Sequence, residues 1–263
     1  MGSAPGSPAA AAARGSSAAA ASSSTTPVAF VTGAAGGLGR ATVSMLRSRG
    51  MRVFATDVAL AAIPCTEPGF LMESLDVTDE AAINQRVAQA VAAFGRLDHV
   101  IHLAGRPGKG PIEAVSRADW DAVLEVNLTS AFLIAKAARS ALEVSHGTLT
   151  LVSSTNGLNG GSTLSGPAYA VAKAGLINLT RYLAKEWAAQ RVRVNCLAPG
   201  PIDTPMVTGR FSLQVLEALK ASVPLGIIGR PEHIAHAIDY LISPAAAFVT
   251  GTVMNLSGGL VLD

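Results

Sequence analysis

A regular alternation of short apolar strands with helical segments most strongly restricts how this chain can fold. Seven strands are predicted, at residues 28–31, 52–55, 70–75, 100–103, 148–152, 192–197 and 252–256. Helices are predicted among them, at residues 38–49, 79–94, 118–142, 167–189 and 234–242. Strands joined in this way by helices run parallel in one sheet, with helices on both faces. The predicted fold class is therefore α/β, with a single doubly wound domain over residues 27–263.

Residues 1–26 differ in composition from the rest of the chain. They contain ten Ala, seven Ser and one charged side chain, Arg14, with no aromatic or branched aliphatic residue. Such a segment cannot bury enough apolar surface to offset the entropy of ordering it. We therefore predict a disordered Ala/Ser-rich tail. A targeting segment is the alternative, although transit peptides usually carry several arginines.

The charge balance and the cysteine count exclude several classes of protein. Twenty Lys and Arg against eighteen Asp and Glu leave a net charge of +2, too balanced for a nucleic-acid-binding surface. Two cysteines cannot build a disulfide framework or a four-cysteine metal site, so a reducing compartment is expected. No run of about 18 apolar residues is present to span a membrane. We expect a cytoplasmic protein without a metal, a membrane span or a nucleic-acid partner.

A glycine-rich turn lies between the first predicted strand and the first predicted helix. Glycines at this place allow a sharp turn and let the backbone approach a pyrophosphate, which then sits at the helix N-terminus. This is the arrangement of a Rossmann dinucleotide-binding domain. The predicted cofactor-binding residues here are Gly33, Gly37, Leu38 and Gly39. A tight turn without a ligand is the alternative.

Two acidic residues follow the next strands. Asp57 comes eighteen residues after Gly39, at the end of the second strand. A carboxylate there accepts hydrogen bonds from the adenosine ribose hydroxyls and repels a 2′-phosphate, so the predicted cofactor is NAD. Asp76 and Val77 follow the third strand and are predicted to lie beside the adenine. An ordinary turn aspartate is the alternative for Asp57.

Tyr169 and Lys173 are predicted to lie on one face of a helix, one turn apart. A tyrosine whose pKa is near 10 is a poor base at neutral pH. A cation held close favours the phenolate and lowers that pKa, as alcohol oxidation requires. On spacing alone, a core tyrosine with a surface lysine is the alternative.

Several motifs in order resemble those of the short-chain dehydrogenase/reductase family. They are the glycine turn, Tyr-x-x-x-Lys at 169–173, Asn-Cys-Leu-Ala-Pro-Gly at 195–200, Asn127-Leu128 and Ser-Ser-x-x-Gly at 153–157. The resemblance covers about residues 28–263. It implies Tyr169 as the general acid/base, Lys173 as the group that lowers its pKa and holds the nicotinamide ribose, Ser154 as the residue that orients the substrate oxygen, and Asn127 as the link of Lys173 to solvent. It also implies cofactor contacts from Ala104, Gly105, Pro199, Gly200, Ile202 and Thr204.

Three departures from the family pattern stand out. His102-Leu103 replaces the usual Asn-Asn before Ala104 and Gly105, and His102 is expected to be a buried structural imidazole. Ser154 lies fifteen residues before Tyr169, two more than is common, and Ser153 is the alternative. Ser257 stands where the family has Asp or Asn, which is expected to affect packing of the C-terminus or assembly.

The predicted function is NAD-dependent interconversion of a secondary alcohol and its ketone by hydride transfer. Residues 205–224 are expected, by resemblance, to form a lid, whose apolar composition favours an apolar substrate. A homodimer or homotetramer is expected from the family. The alternatives are a 3-oxoacyl-thioester reductase, whose relatives generally use NADP, a non-catalytic NAD-binding sensor, and an epimerase or dehydratase.

Overall fold

The structure is a computed structural model and describes Met1 and residues 25–59 and 65–262. The strands are β1 Val28–Thr32, β2 Arg52–Asp57, β3 Cys65–Glu67, β4 Phe70–Ser74, β5 His99–His102, β6 Thr148–Val152, β7 Arg193–Pro199 and β8 Val253–Leu256. The α-helices are α1 Gly37–Ser48, α2 Glu80–Phe94, α3 Arg117–Leu124, α4 Ser130–Ser145, α5 Thr155–Asn159, α6 Pro167–Trp187, α7 Leu213–Ser222 and α8 Pro231–Ile242. The predicted tail, apart from Met1, Thr25 and Thr26, lies outside the described residues.

All eight strands form one sheet in the order β3-β4-β2-β1-β5-β6-β7-β8. Every neighbouring pair is parallel except β3 with β4, which is antiparallel at the edge. The order reverses at β1, whose two neighbours are β2 and β5. In a doubly wound sheet such a reversal opens a crevice at the carboxyl ends of the strands. The predicted α/β fold class is confirmed.

Alternate side chains of the strands enter two separate cores, one on each face of the sheet. On β1, Val28 and Phe30 pack towards α2, α4 and α6, where the Phe30 ring stacks on Phe54 with centroids 5.5 Å apart. Ala29 and Val31 point the other way, into a core shared with α1 and α8. Both faces of β1 are buried, which explains why its sequence is a continuous apolar run rather than an alternating one.

The long helix predicted over residues 118–142 is interrupted. One turn of π-helix, Glu125–Thr129, separates α3 from α4. The Asn127 Nδ2 group donates to the Val123 carbonyl at 2.9 Å, and Ser130 Oγ donates to the Val126 carbonyl at 2.7 Å. Side-chain donors that occupy helical carbonyls in this way compete with the regular backbone ladder. The structure also contains β3, α5 and α7, which the sequence did not predict, and within the described residues no helix is long and apolar enough to cross a membrane.

Candidate active site

A cavity of about 800 Å³ opens at the carboxyl ends of the strands, where the strand order reverses. Its volume lies within the range usual for cofactor and ligand sites. Its lining includes every predicted site residue except Asn127, namely Gly33, Gly37, Leu38, Gly39, Asp57, Asp76, Val77, Ala104, Gly105, Ser154, Tyr169, Lys173, Pro199, Gly200, Ile202 and Thr204. Asn127 is fully buried behind this wall.

The glycine turn is packed so closely that side chains would not fit at two of its positions. Gly33 has φ +69°, and a Cβ added to it would come within 2.6 Å of the Ala104 amide nitrogen. A Cβ added to Gly39 would come within 2.1 Å of the Gly33 carbonyl oxygen. No side chain caps the N-terminus of α1, where Gly36 is the N-cap. The helix therefore presents backbone N–H groups and a positive dipole end to the cavity, as an anion requires.

The two predicted acidic residues lie together at one end of the cavity. Asp57 ends β2, and its carboxylate accepts from the Ala35 amide at 3.0 Å and the Ala59 amide at 2.9 Å. These bonds fix the carboxylate beside the glycine turn while leaving lone pairs for further donors. Asp76 is exposed after β4, and its Oδ1 accepts from the amide and the hydroxyl of Thr78.

Tyr169 lies in the first turn of α6, beside Ser154 at the N-terminus of α5. The structure brings Ser154, and not Ser153, to the phenol, because Ser154 hydrogen-bonds to Tyr169 whereas Ser153 Oγ donates to the Lys173 carbonyl at 2.6 Å. Gly157 permits this arrangement, since a Cβ there would come within 2.6 Å of the α6 backbone. Burial raises the pKa of Tyr169, while the hydrogen bond with Ser154 and the charge of Arg210 lower it.

Lys173 lies one turn of α6 after Tyr169 and is almost completely buried. Its side chain is buried, Nζ donates to the Val152 carbonyl at 2.8 Å, and Nζ lies 5.4 Å from the centroid of the Tyr169 ring. Burial lowers the pKa of Lys173 to about 8, because desolvation disfavours the ammonium form. The pair therefore lies close together in the predicted geometry, with both groups shifted toward their neutral forms by desolvation.

Asn127 lies in the π-helical turn, next to the lysine. Its Nδ2 donates to the carbonyls of Arg106 and Val123, at 2.8 and 2.9 Å, whereas its buried Oδ1 has no hydrogen-bond partner. A Cβ added to Gly105 would come within 2.9 Å of that Oδ1 and 3.6 Å of Lys173 Nζ. A buried acceptor without a donor is costly, so this oxygen and the lysine define a small polar position suited to a donor such as water.

His102 forms a buried bridge between β1, β5 and the start of α4. Its Nδ1 pairs with Thr32 Oγ1 at 2.8 Å and its Nε2 with Ser130 Oγ at 2.9 Å. Thr32 Oγ1 in turn accepts from the Ala104 amide at 3.3 Å. Burial, aided by the charge of Lys173, lowers the pKa of His102 to about 3. A neutral imidazole thus supports the strand end that usually carries asparagine side chains, as expected for a structural residue.

Another wall of the cavity is formed by the end of β7, the residues that follow it and the predicted lid. Thr204 is buried against the glycine turn, since a Cβ on Gly37 would come within 2.7 Å of its Cγ2. Pro199 ends β7, and the Gly200 amide donates to the Leu256 carbonyl at 3.1 Å. Ser257 packs on Gly200 and closes a C-terminal turn through hydrogen bonds with Val261 at 3.3 Å.

Three arginines that the sequence did not assign to the site line the cavity, and the first of them is Arg40 in α1. Arg106 follows Gly105, and Arg210 lies in the lid. The only signal for Arg210 was that it is one of two cations in an otherwise apolar lid; Arg106 had no signal apart from its position after β5. Within the described part of the chain, no three His, Cys, Asp or Glu side chains lie close enough together to hold a metal ion.

The fold and the glycine-lined cavity define the class of Rossmann dinucleotide-binding proteins. A family model described as enoyl-(acyl carrier protein) reductase matches residues 33–261. The chain belongs to the short-chain dehydrogenase/reductase family, and is therefore an oxidoreductase of a family that uses nicotinamide cofactors.

Curated relatives match the chain over most of their length. The cis-4-hydroxycyclohexanecarboxylate dehydrogenase of Sinomonas cyclohexanicum is 40% identical over 240 residues, 88% of this chain and 95% of that protein. The 3-oxoacyl-acyl-carrier-protein reductase of Thermotoga maritima is 34% identical, over 89% of this chain and 98% of that protein. The crystal structure of gox2181 superposes with a TM-score of 0.79 at 26% identity, covering 89% of this chain and 95% of that one.

The His102 bridge predicts how stability depends on pH. Since folding lowers the pKa of His102 from 6.5 to about 3, the unfolded chain binds one more proton in the interval between these values. Stability is therefore lost as pH falls below 6.5. His102→Gln keeps hydrogen-bonding groups but does not titrate. It should therefore lower the slope of the free energy of unfolding against pH, measured with urea, by up to about 1.4 kcal/mol per pH unit. The exposed His236→Gln on α8 is the control, and an unchanged slope in His102→Gln would contradict a neutral buried imidazole.

Proposed function

We propose that this protein is an NAD-dependent oxidoreductase that interconverts a secondary alcohol and its ketone, with Tyr169 as the acid/base. The observation that carries the proposal is the meeting of Ser154, Tyr169 and Lys173 in the cavity that the glycine turn also lines. A non-catalytic cofactor sensor would have no use for a desolvated lysine held within 5.4 Å of a phenol ring.

The residues present fit a nicotinamide dinucleotide. The uncapped N-terminus of α1 suits the pyrophosphate, and the close packing of Gly33 on Ala104 and of Gly39 on Gly33 holds this N-terminus at the cavity. Asp57 and Asp76 would hold the adenosine end. Lys173 would hold the nicotinamide ribose. The nicotinamide itself would be contacted by residues at and after the end of β7, namely Pro199, Gly200, Ile202 and Thr204. When bound, the cofactor supplies or accepts the hydride.

Tyr169 moves the proton that accompanies the hydride. During oxidation the phenolate oxygen takes the proton of the substrate hydroxyl, and during reduction the phenol returns it to the carbonyl oxygen. Ser154 hydrogen-bonds to the same phenol, so its hydroxyl lies where it can also hold the substrate oxygen. Lys173 stabilises the phenolate, and it can pass the proton on towards solvent through the position beside Asn127 Oδ1.

The preference for NAD over NADP rests on Asp57. Its carboxylate is fixed by the Ala35 amide at the place where the adenosine ribose would lie. A 2′-phosphate there would meet a like charge, at a cost on the order of 1–4 kcal/mol for a pair a few ångströms apart near the surface. Arg40 lines the same cavity and donates from Nε to the Ala35 carbonyl at 2.8 Å, so its remaining donors are the ones that a 2′-phosphate would need to offset Asp57. Arg52 is anchored at the far end of β2, where it donates to the Thr26 carbonyl.

A 3-oxoacyl-thioester reductase is the second candidate, because the Thermotoga relative carries that name over nearly its whole length. Assay of NAD and NADP with cyclic alcohols, hydroxy acids and 3-hydroxyacyl thioesters distinguishes the two candidate functions.

We further propose a cytoplasmic homodimer or homotetramer. The assembly is supported by exposed apolar side chains on the outer faces of α4 and α6, such as Phe132 and Val171. Light scattering measures that assembly.

Replacing Tyr169 with Phe should abolish most turnover while preserving the packing of the ring. Loss of a general acid/base typically lowers the rate by about 10²–10⁴-fold. NAD affinity, measured by fluorescence titration of NADH, should change little. The matched control is Tyr182→Phe, which removes an exposed phenol from the same helix. Turnover close to that of the unmodified enzyme in Tyr169→Phe would end the proposed mechanism.

The oxidation rate should rise with pH, because the base form of the Tyr169–Lys173 pair is the active one. The apparent pKa in kcat/KM belongs to the coupled pair rather than to either residue. Lys173→Met removes the cation that favours the phenolate, so the rise should move to higher pH and the rate at neutral pH should fall. Stopped-flow oxidation across the pH range measures this shift. A profile that Lys173→Met leaves unmoved would show that the lysine does not tune the base.

NAD should be preferred over NADP by at least about tenfold in kcat/KM, the low end of the repulsion expected from Asp57. Asp57→Asn keeps an acceptor of the same shape without the charge, so it should reduce the preference for NAD mainly by raising kcat/KM with NADP. Asp57→Ala loses the acceptor as well and should reduce the preference mainly by lowering kcat/KM with NAD. If the unmodified enzyme prefers NADP, Arg40 must turn from the Ala35 carbonyl to the 2′-phosphate.

A further inference from the structure

A cation of the lid lies beside the phenol of Tyr169. Arg210 is exposed, and its Nη2 donates to the Gly108 carbonyl at 2.6 Å. Gly108 packs against the base of the Tyr169 side chain, since a Cβ added to it would come within 3.6 Å of the Tyr169 Cβ. The charge of Arg210 lowers the pKa of Tyr169, in agreement with this proximity. The guanidinium therefore lines the part of the cavity in which a substrate would lie.

This part of the cavity is electrostatically unbalanced. Arg106 and Lys173 line it together with Arg210, whereas the carboxylates in the cavity wall, Asp57 and Asp76, are at the adenosine end, where Arg40 also lies beside Asp57. Within residues 25–59 and 65–262, Arg106 and Arg210 take part in no ion pair. Arginines placed at a cavity without a carboxylate partner favour an anionic ligand.

We propose that the alcohol substrate carries a carboxylate and that Arg210 binds it. This inference rests on the proposed function, because it names the substrate class of the same site. One Nη2 hydrogen is used by Gly108, so the other guanidinium donors are available for a second acceptor. A planar guanidinium holds a carboxylate by two parallel hydrogen bonds, which fixes direction as well as charge.

The position of Arg210 favours a carboxylate of the substrate itself over the phosphate of a thioester carrier. Arg210 and Tyr169 line the same cavity, and Arg210 is bonded to Gly108, which packs on the base of the Tyr169 side chain. An anion bound at Arg210 therefore lies in the same part of the cavity as the atom that exchanges its proton with Tyr169. A hydroxy acid with one ring or a few methylenes between its two functional groups fits that separation. The pantetheine arm of a thioester places its phosphate much farther from the ketone.

The test compares hydroxycyclohexanecarboxylates with their carboxamides, which have the same shape and no charge. In the unmodified enzyme, kcat/KM should favour the carboxylate on the order of 10- to 100-fold, the strength of a charged hydrogen bond. Arg210→Leu should bring the ratio near one, chiefly through KM of the carboxylate, and Arg210→Lys should restore part of it. The control is Lys220→Leu, which removes the other lid cation, exposed and outside the cavity wall, and should keep the ratio.

A binding measurement separates failure of this inference from failure of the proposed function. Cyclohexanecarboxylate should bind the protein in calorimetry, with and without NADH, more tightly than cyclohexanecarboxamide, and Arg210→Leu should remove the difference. That result without turnover of any alcohol would support the anion site and overturn the proposed reaction. Turnover with no preference for carboxylate in either assay would overturn the anion site alone. A third outcome is that Arg210→Leu lowers turnover of 3-hydroxybutyryl-CoA but leaves the ratio of kcat/KM for carboxylate over carboxamide unchanged. That outcome would assign Arg210 to the phosphate of the carrier and would also overturn the proposed carboxylate site.

Discussion

The fold and the site both depend on one close backbone contact, between the glycine turn and the ends of β5 and α1. Gly33 meets the Ala104 amide and Gly39 meets the Gly33 carbonyl at distances that exclude a Cβ. This contact brings the N-terminus of α1 to the edge of the sheet at the point where the strand order reverses. The N-terminus of α1, the Asp57 carboxylate and the wall that holds Lys173 all depend on this contact for their positions, so a single added methyl group would displace them together.

The burial of ionisable groups is a second physical condition of the site. Lys173 has one carbonyl acceptor, from Val152, and its pKa falls to about 8 because the ammonium is poorly solvated. Tyr169 is shifted in the opposite direction by the same desolvation. Each group is thus poised to gain from charge on the other, since an opposite charge nearby recovers part of the lost solvation. The π-helical turn contributes by placing the unpartnered Asn127 Oδ1 next to this pair.

Much of the fold could be predicted because its signals are local. The apolar run of β1, the β-branched and aliphatic residues of β6 and the Asp79 cap, which accepts from the Ala82 amide at 3.0 Å, need no knowledge of the rest of the chain. The break at Asn127 was not predicted, because besides its local bond to the Val123 carbonyl Asn127 is held by the Arg106 carbonyl, 21 residues away in sequence. Ser154 was predicted over Ser153, and the packing of Gly157 against α6 is the tertiary reason that could not be seen in the sequence. Motif spacing placed these residues near the site, but tertiary contacts decide their roles.

The difference between local signals and tertiary contacts also explains why the composition of the lid predicted its apolar side chains but not the role of Arg210. Its apolar side chains, among them Met206, Val207 and Phe211, do line the cavity, as an apolar substrate would require. Composition, however, averages over the whole lid and gives little weight to a single arginine. One unpaired arginine that lines the cavity can determine which ligand binds, because its attraction for an anion is stronger than the unfavourable contact between that anion and the apolar side chains. Asp57 and Arg40, which carry opposite charges, both contact Ala35 of the glycine turn, whereas Arg210 contacts Gly108 and pairs with no carboxylate among the described residues. We therefore expect the uncompensated positive charge of the cavity to act on a ligand near Arg210 rather than near Asp57.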